Sequence, residues 1–236
     1  MTQLEVRLAT FTWLHLTDLH CGLQPQNWLW PRMHQVFLDD LSVLHDECGP
    51  WDLVLFSGDM TQRGGRDEFA KVDEILERLW IHMRALGSTP VFFAVPGNHD
   101  IERPDPETPE VLLLNEWVGR PNVQERFWSR SDSAYRKVVD QAFHNYSDWW
   151  NGNTLRPAQV RQGLLPGDFS ATINKQSLRI GLVGLNTTFL QLTAADYRGR
   201  LALHPLQFQS VCGNDNGPVR IPRDGDQRSE LMSITI

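Results

Sequence analysis

The sequence predicts an α/β protein built on a parallel sheet, and two observations support this prediction. Three short runs rich in aliphatic, aromatic and β-branched residues are typical of buried strands, at residues 11–17, 51–56 and 90–95. The two segments between these runs have the period of amphipathic helices. Because parallel neighbours in one sheet need crossover helices, the alternation of strand and helix predicts parallel pairing.

The first run ends at Asp18-Leu19-His20. Side chains two residues apart lie on the same side of an extended backbone, so Asp18 and His20 can reach one cation together. The first helix is predicted from about Pro31 to Glu47, with proline suited to the opening turn.

The second run ends at Ser57-Gly58-Asp59, where Gly58 permits a tight turn towards the same sheet edge. A second helix is predicted from about Arg66 to Leu86, with Gly87 as its stop. The third run is followed by Gly97-Asn98-His99-Asp100, and a weaker group of similar residues comes later at Asn186-Thr187. Since an α/β fold gathers its chemistry at strand ends, the first three groups predict a metal site.

The ordered set Asp-x-His, Gly-Asp and Gly-Asn-His-Asp resembles the pattern of the calcineurin-like metallophosphoesterases, over roughly residues 11 to 212. The resemblance implies an αββα sandwich and a two-metal site that hydrolyses phosphate esters. Asp18 and His20 would hold one metal, Asp59 would bridge both, and Asn98 would hold the second. Carboxylate, imidazole and amide ligands suit Mn, Fe or Zn without selecting among them.

The resemblance gives His99 the role of protonating the leaving group or stabilising its charge, with Asp100 holding it in place. Arg63 is a weaker candidate, for contact with a phosphate oxygen. The protein Ser/Thr phosphatase branch has a second acid where Gln62 stands, so a phosphoprotein substrate is less expected. The opening at residues 14–20 looks more like the bacterial phosphohydrolase and cyclic-nucleotide phosphodiesterase branch.

Downstream, the family adds a strand ending in a metal-binding histidine and then a Gly-His-x-His element, and this sequence has neither. The second metal is therefore expected to bind weakly. Two strands are predicted at residues 168–173 and 178–186, meeting near Asn174. We expect a domain at residues 1–212 that is incomplete on its C-terminal side, and a turn-rich or disordered tail at residues 213–236.

Several residues have plainer interpretations. His15 lies inside an apolar strand and is expected to be a core residue, and His204 is expected beside a short helix beginning at Pro205 rather than on a metal. An aromatic stripe at residues 134–150 is expected to pack in a core rather than to stack on a base. Turn formation alone would explain the acidic residues after the strands, but not the two histidines in register.

Composition sets further limits. At 236 residues with 41% hydrophobic content, one substantial core is expected and a second is not. A net charge of −7 argues against broad nucleic-acid or acidic-membrane binding. The three cysteines are odd in number and widely spaced, so a disulfide framework is not expected. This cysteine content is consistent with a protein of the reducing cytoplasm. No cleavable signal and no membrane-spanning stretch are evident.

The leading hypothesis is therefore a hydrolase that acts on a small phosphorylated substrate, monoester or diester, with two divalent metal ions. One alternative is a catalytically weak or inactive phosphoesterase fold that serves as a binding or regulatory module. Another is a truncated copy of a longer enzyme, which predicts an open edge or apolar face near Ile180 to Leu185. The oligomeric state is left open by the sequence.

Overall fold

Six strands form two separate three-stranded sheets in the computed structural model, which describes residues 9–23 and 26–212, the side chains of 26–32 excepted. The tail predicted at 213–236 lies outside the described residues. In chain order, the first half consists of β1 (Trp13–Leu16), α1 (Gln26–Cys48), β2 (Leu53–Phe56), α2 (Arg66–Ala85) and β3 (Val91–Ala94).

The first sheet is parallel throughout, with the order β1-β2-β3, as the alternation of strands and helices predicted. Trp13 pairs with Leu53, and Leu53 pairs with Val91. β2 is central and mostly buried, whereas β1 is at an edge and is buried at none of its four residues. His15 is consequently exposed, and its Nε2 lies 2.6 Å from Ser57 Oγ. The expectation that His15 is a core residue was wrong, because strand order decides exposure.

The second sheet is antiparallel and consists of β4 (Arg161–Gln162), β5 (Phe169–Lys175) and β6 (Leu178–Gly184). The rings of Phe93 and Phe169 stack at 5.1 Å, so the two sheets face each other as in a sandwich. Among the described strands β6 pairs only with β5, and Val183 is 44% exposed. Within the described residues, β6 therefore has an unpaired edge near residues 180–185.

Between β3 and β4 lies a helical insert of which the sequence indicated only the second half. It consists of α3 (Pro109–Asn115), one turn of 3-10 helix (Trp117–Gly119), α4 (Pro121–Ser129), α5 (Ala134–Ala142) and α6 (His144–Gly152). The aromatic stripe is thus two helices that meet at Phe143, not one. Phe143, Tyr146, Trp149 and Trp150 are buried, so the expected core packing is confirmed.

Buried apolar side chains of the described residues form two clusters, where one was expected. The first fills the space between the sheets, α1, α2 and α6, and the second lies under α3, α4 and α5. The extra cluster exists because the insert brings its own apolar faces. Helix α7 (Pro205–Cys212), at the C-terminal end of the described residues, begins at the predicted proline. Within the described part of the chain, no helix combines the length and the apolar character that crossing a bilayer requires.

Candidate metal centre

Asp18, His20 and Asp59 come together at the carboxyl ends of β1 and β2. One potential ligand atom from each of the three side chains lies within 4.8 Å of the others. His20 Nε2 is 3.5 Å from Asp18 Oδ1. Two carboxylates and one imidazole form a donor set that suits Mn, Fe or Zn. The residues present therefore fit a divalent cation at this position.

The backbone is strained at each of these three residues. Asp18, His20 and Asp59 have φ angles of 58°, 48° and 55°, in the left-handed region that residues with a side chain rarely adopt. Such a conformation costs about 1–3 kcal/mol per residue and persists where the surroundings enforce it. Backbone hydrogen bonds enforce it here, from Asp18 N to Gly58 O at 3.2 Å and from His20 N to Asp59 O at 2.9 Å. These bonds extend the pairing of β1 with β2 into the loops.

Two glycines allow the loops after β2 and β3 to touch. Gly58 has a φ angle of 116°, and a Cβ atom there would lie 2.8 Å from Gly97 Cα. A Cβ atom on Gly97 would lie 2.1 Å from Asp59 Oδ1 and 2.4 Å from Asp59 N. The two motif glycines are therefore required by the close approach of one backbone to the other.

His99 is held against the cluster by its backbone and by its ring. Its N–H donates to Asp59 Oδ1 at 2.9 Å, and its ring meets the ring of His20 edge-on, with 4.6 Å between centroids. Nδ1 lies 3.0 Å from the carbonyl oxygen of Gln62. Because a carbonyl oxygen only accepts, this contact assigns the proton to Nδ1 and leaves Nε2 for a different partner.

Asp100 does not hold the His99 ring, which corrects the expectation from the sequence. Its buried carboxylate accepts hydrogen bonds from Thr61 N at 2.8 Å, Thr61 Oγ1 at 2.9 Å and Gly97 N at 2.9 Å. Burial raises the pKa of Asp100 to about 6, although these hydrogen bonds oppose the shift. Asp100 therefore joins the loops after β2 and β3, and the Gln62 carbonyl orients His99 instead.

Asn98 is half-buried on the loop between Gly97 and His99. Its role as a ligand of a second metal stays a prediction, as do the metal roles of the three clustered residues. Arg63 is exposed, and its backbone N–H donates to Glu68 Oε2 at 2.8 Å. Its contact with a phosphate oxygen also stays a prediction.

Two features of the site were missed at the level of sequence. Glu68 is buried and also accepts from Gly65 N at 3.2 Å, so it closes the loop that leads from Asp59 into α2. A glutamate at the third position of a helix is a known signal for such a bond. The Gln62 carbonyl gave no signal in the sequence, because every residue has a backbone carbonyl group and only the fold decides which one lies beside His99.

Asn186 and His204 have structural contacts away from the cluster. Asn186 is buried, its Oδ1 accepts from Thr188 N at 2.9 Å, and its Nδ2 donates to Pro166 O at 2.8 Å. The oxygen and the nitrogen of this amide both form hydrogen bonds within the loops around it. The weaker prediction that Asn186 belongs to a metal-binding group is therefore not supported. His204 stacks on Trp128 at 4.4 Å, and its Nδ1 accepts from Leu206 N at 3.2 Å at the start of α7.

The family model described as calcineurin-like phosphoesterase matches residues 11–180. The chain belongs to the calcineurin-like phosphoesterase family. The matched range of this calcineurin-like phosphoesterase contains all three loops and ends inside β6. Its α/β architecture, with a parallel sheet facing a second sheet, is that of a metallophosphoesterase sandwich. A search of curated proteins found no match.

Proposed function

We propose that this chain hydrolyses phosphate esters with the help of divalent metal ions. The observation that carries the proposal is the convergence of Asp18, His20 and Asp59, with ligand atoms within 4.8 Å of one another. Membership of the calcineurin-like phosphoesterase family supports it. A small phosphorylated compound is the proposed substrate.

In this proposal Asp18 and His20 hold one metal, Asp59 bridges two, and Asn98 holds the second. A carboxylate shared between two cations lowers their mutual repulsion and sets their separation. The second position draws on fewer side chains than the first, so the second metal binds more weakly. Bound there, the ions would polarise a phosphoryl oxygen and lower the pKa of a water molecule.

His99 acts on the leaving group in this proposal. Its Nδ1 is engaged by the Gln62 carbonyl at 3.0 Å, so a protonated His99 can donate only through Nε2. An imidazole is suited to proton transfer near neutral pH. The hydrogen bond from His99 N to Asp59 Oδ1 keeps this ring beside the carboxylate assigned to the metals.

The direct test is turnover by protein that has been stripped with a chelator and then reloaded. p-Nitrophenyl phosphate and bis(p-nitrophenyl) phosphate are offered with Mn, Fe(II) or Zn, and product is followed by absorbance. We expect no turnover by the stripped protein and turnover after reloading, with the preferred ester separating monoesterase from diesterase activity. Full occupancy by metal without turnover of either ester would rule the proposal out.

The second candidate is a phosphoesterase fold that binds metal weakly and acts as a binding or regulatory module. It is favoured by the exposure of Asp18, whose side chain is 62% accessible. It is also favoured by the small number of side chains, Asp59 and Asn98, that are available to the second metal. Titration calorimetry separates the two candidates. Two tightly bound ions per chain together with turnover favour the enzyme, whereas one weakly bound ion without turnover favours the module.

A further inference from the structure

Asn145, at the start of α6, contacts two loops of the candidate metal centre from behind. The residue is 7% exposed. Its Nδ2 donates to Gly64 O and to Glu102 Oε2, both at 2.8 Å, and its Oδ1 accepts from Arg66 Nε at 3.0 Å. Both amide hydrogens and the amide oxygen are therefore engaged at once, in a site that only an amide of this size satisfies.

The two loops that Asn145 joins are the ones that set the position of His99. Gly64 closes the loop from Asp59, and its N–H donates to Thr61 Oγ1 at 3.1 Å. Gln62, in the same loop, supplies the carbonyl oxygen 3.0 Å from His99 Nδ1. Glu102 follows the His99 loop, so Asn145 spans the gap across which this hydrogen bond forms.

The loops are also in direct backbone contact at this point. A Cβ atom on Gly64 would lie 2.5 Å from the carbonyl carbon of Ile101. The backbone N–H of Glu102 donates to Ala142 O at 3.0 Å, at the end of α5. A small displacement of Gly64 relative to Glu102 would therefore be passed to Gln62 and His99.

Helix α6 is a fixed support for Asn145. The next residue, Tyr146, is buried and donates from its hydroxyl to Ala94 O at 2.9 Å, at the end of β3. Trp149 Nε1 donates to Asp73 Oδ1 at 2.7 Å on α2. Because α6 is anchored to both β3 and α2, the Asn145 amide has a defined position with respect to the sheet.

We propose that Asn145 is a positioning residue for His99. It holds the loop of Gln62 and the loop of His99 at a fixed separation, and this separation keeps the His99 ring in one orientation with its proton on Nδ1. The kinetic consequence rests on the proposed phosphoesterase function, whereas the structural consequence does not. Alanine at this position leaves Gly64 O without its donor, and aspartate brings a second carboxylate to Glu102.

The experiment compares Asn145→Ala and Asn145→Asp with Asn151→Ala. Asn151 lies on the same helix, is exposed, and accepts a hydrogen bond from Gln162 at 2.9 Å, away from the metal centre. Imidazole nitrogen NMR measures the tautomer of His99, calorimetry with Mn measures metal affinity, and steady-state kinetics gives kcat and KM. Asn145→Asp keeps the volume and the acceptor for Arg66, so it serves if the alanine variant does not fold.

We expect the Asn145 variants to lose the single Nδ1–H tautomer of His99 and to keep the metal affinity of the wild type. The value of kcat falls about tenfold while KM stays within about twofold, because a misplaced proton donor affects the transition state more than binding. Asn151→Ala matches the wild type in all readouts. An unchanged His99 tautomer in the Asn145 variants would overturn the proposal. If the wild type has no turnover but the tautomer still changes, the positioning role stands and the proposed function fails.

Discussion

The backbone N–H of His99 donates a 2.9 Å hydrogen bond to Oδ1 of Asp59. This bond joins the loop after β3, which carries His99, to the carboxylate of Asp59 in the loop after β2. The two loops therefore form one unit. A hydrogen bond to a charged acceptor is stronger than a neutral one, and it fixes the direction of the remaining lone pairs. Because the donor is a backbone group, replacing the His99 side chain leaves this bond in place.

Asp59→Asn is expected to remove most of the metal affinity while the fold is kept. Asparagine tolerates the left-handed backbone of this position and can still accept the His99 N–H, but it has no charge to offer a cation. We expect the affinity for Mn to fall at least ~100-fold by titration calorimetry. Asp46→Asn, an exposed change on α1, is the control and should bind as the wild type does. Retained affinity in Asp59→Asn would contradict the ligand assignment.

His99→Ala should separate metal binding from turnover. The bond from residue 99 to Asp59 persists in alanine, so bound metal should be unchanged, whereas kcat should fall by about 10²–10⁴. Metal analysis after gel filtration and kinetics with a nitrophenyl ester measure the two quantities. The control is His204→Ala, because His204 stacks on Trp128 away from the metal centre. This variant should change neither the bound metal nor kcat. If His99→Ala empties the site, the residue is a ligand and its proposed role is wrong.

Gly97→Ala should destabilise the protein although no ligand is altered. The new Cβ atom would overlap Asp59 at 2.1 Å, so the two loops must separate. We expect a loss of about 2–3 kcal/mol in the free energy of unfolding by denaturant titration, together with weaker metal binding. Gly181→Ala is the matched control, since a Cβ atom there meets nothing within 4 Å. Equal stability of the two variants would show that the loops are not in contact.

Asp168 should make stability depend on pH. Burial raises its pKa from 3.8 to about 6, against hydrogen bonds from Asn186 N and Leu165 N that lower it. Between these values the folded protein binds the proton and the unfolded chain releases it. The stabilisation linked to this carboxyl group is therefore complete below pH 3.8 and is lost as the pH rises through about 6.

The size of this effect follows from the difference between the two pKa values and is at most ~3 kcal/mol. Asp168→Asn mimics the protonated group, so the gap between the free energies of unfolding of wild type and variant should change across this pH range. The Asp100 carboxyl, whose pKa is also raised to about 6, is present in both proteins and cancels. A gap that stays constant from pH 4 to 7 would mean that Asp168 ionises normally.

The order of strands and crossover helices was predictable because hydrophobic period is a local property of the chain. The helices α1 and α2 and all three strands of the first sheet appeared where the pattern indicated, with shifted ends. α3 and α4 were not foreseen, since short helices of seven and nine residues show little period of their own. The break at Phe143 was missed for a related reason, because the apolar spacing continues across it.

The gathering of Asp18, His20 and Asp59 could also be anticipated, because parallel strands of one sheet deliver their following loops to one edge. Each of these residues can be recognised in the sequence by its residue type and by its position after an apolar run. The exposure of His15 and the contacts of Asp100 could not be anticipated in this way. They depend on which strand is at the edge and on which loops touch, and these are properties of the assembled sheet.

Local pattern in the chain therefore specifies which residues can bind a cation and at which edge they lie. Tertiary structure alone decides what holds them. The Gln62 carbonyl that orients His99 has no signature in any side chain, and Asn145 is 81 residues from Gly64 and 43 from Glu102 along the chain. Contacts of this kind arise from packing between distant elements, and no period or motif within either element encodes them.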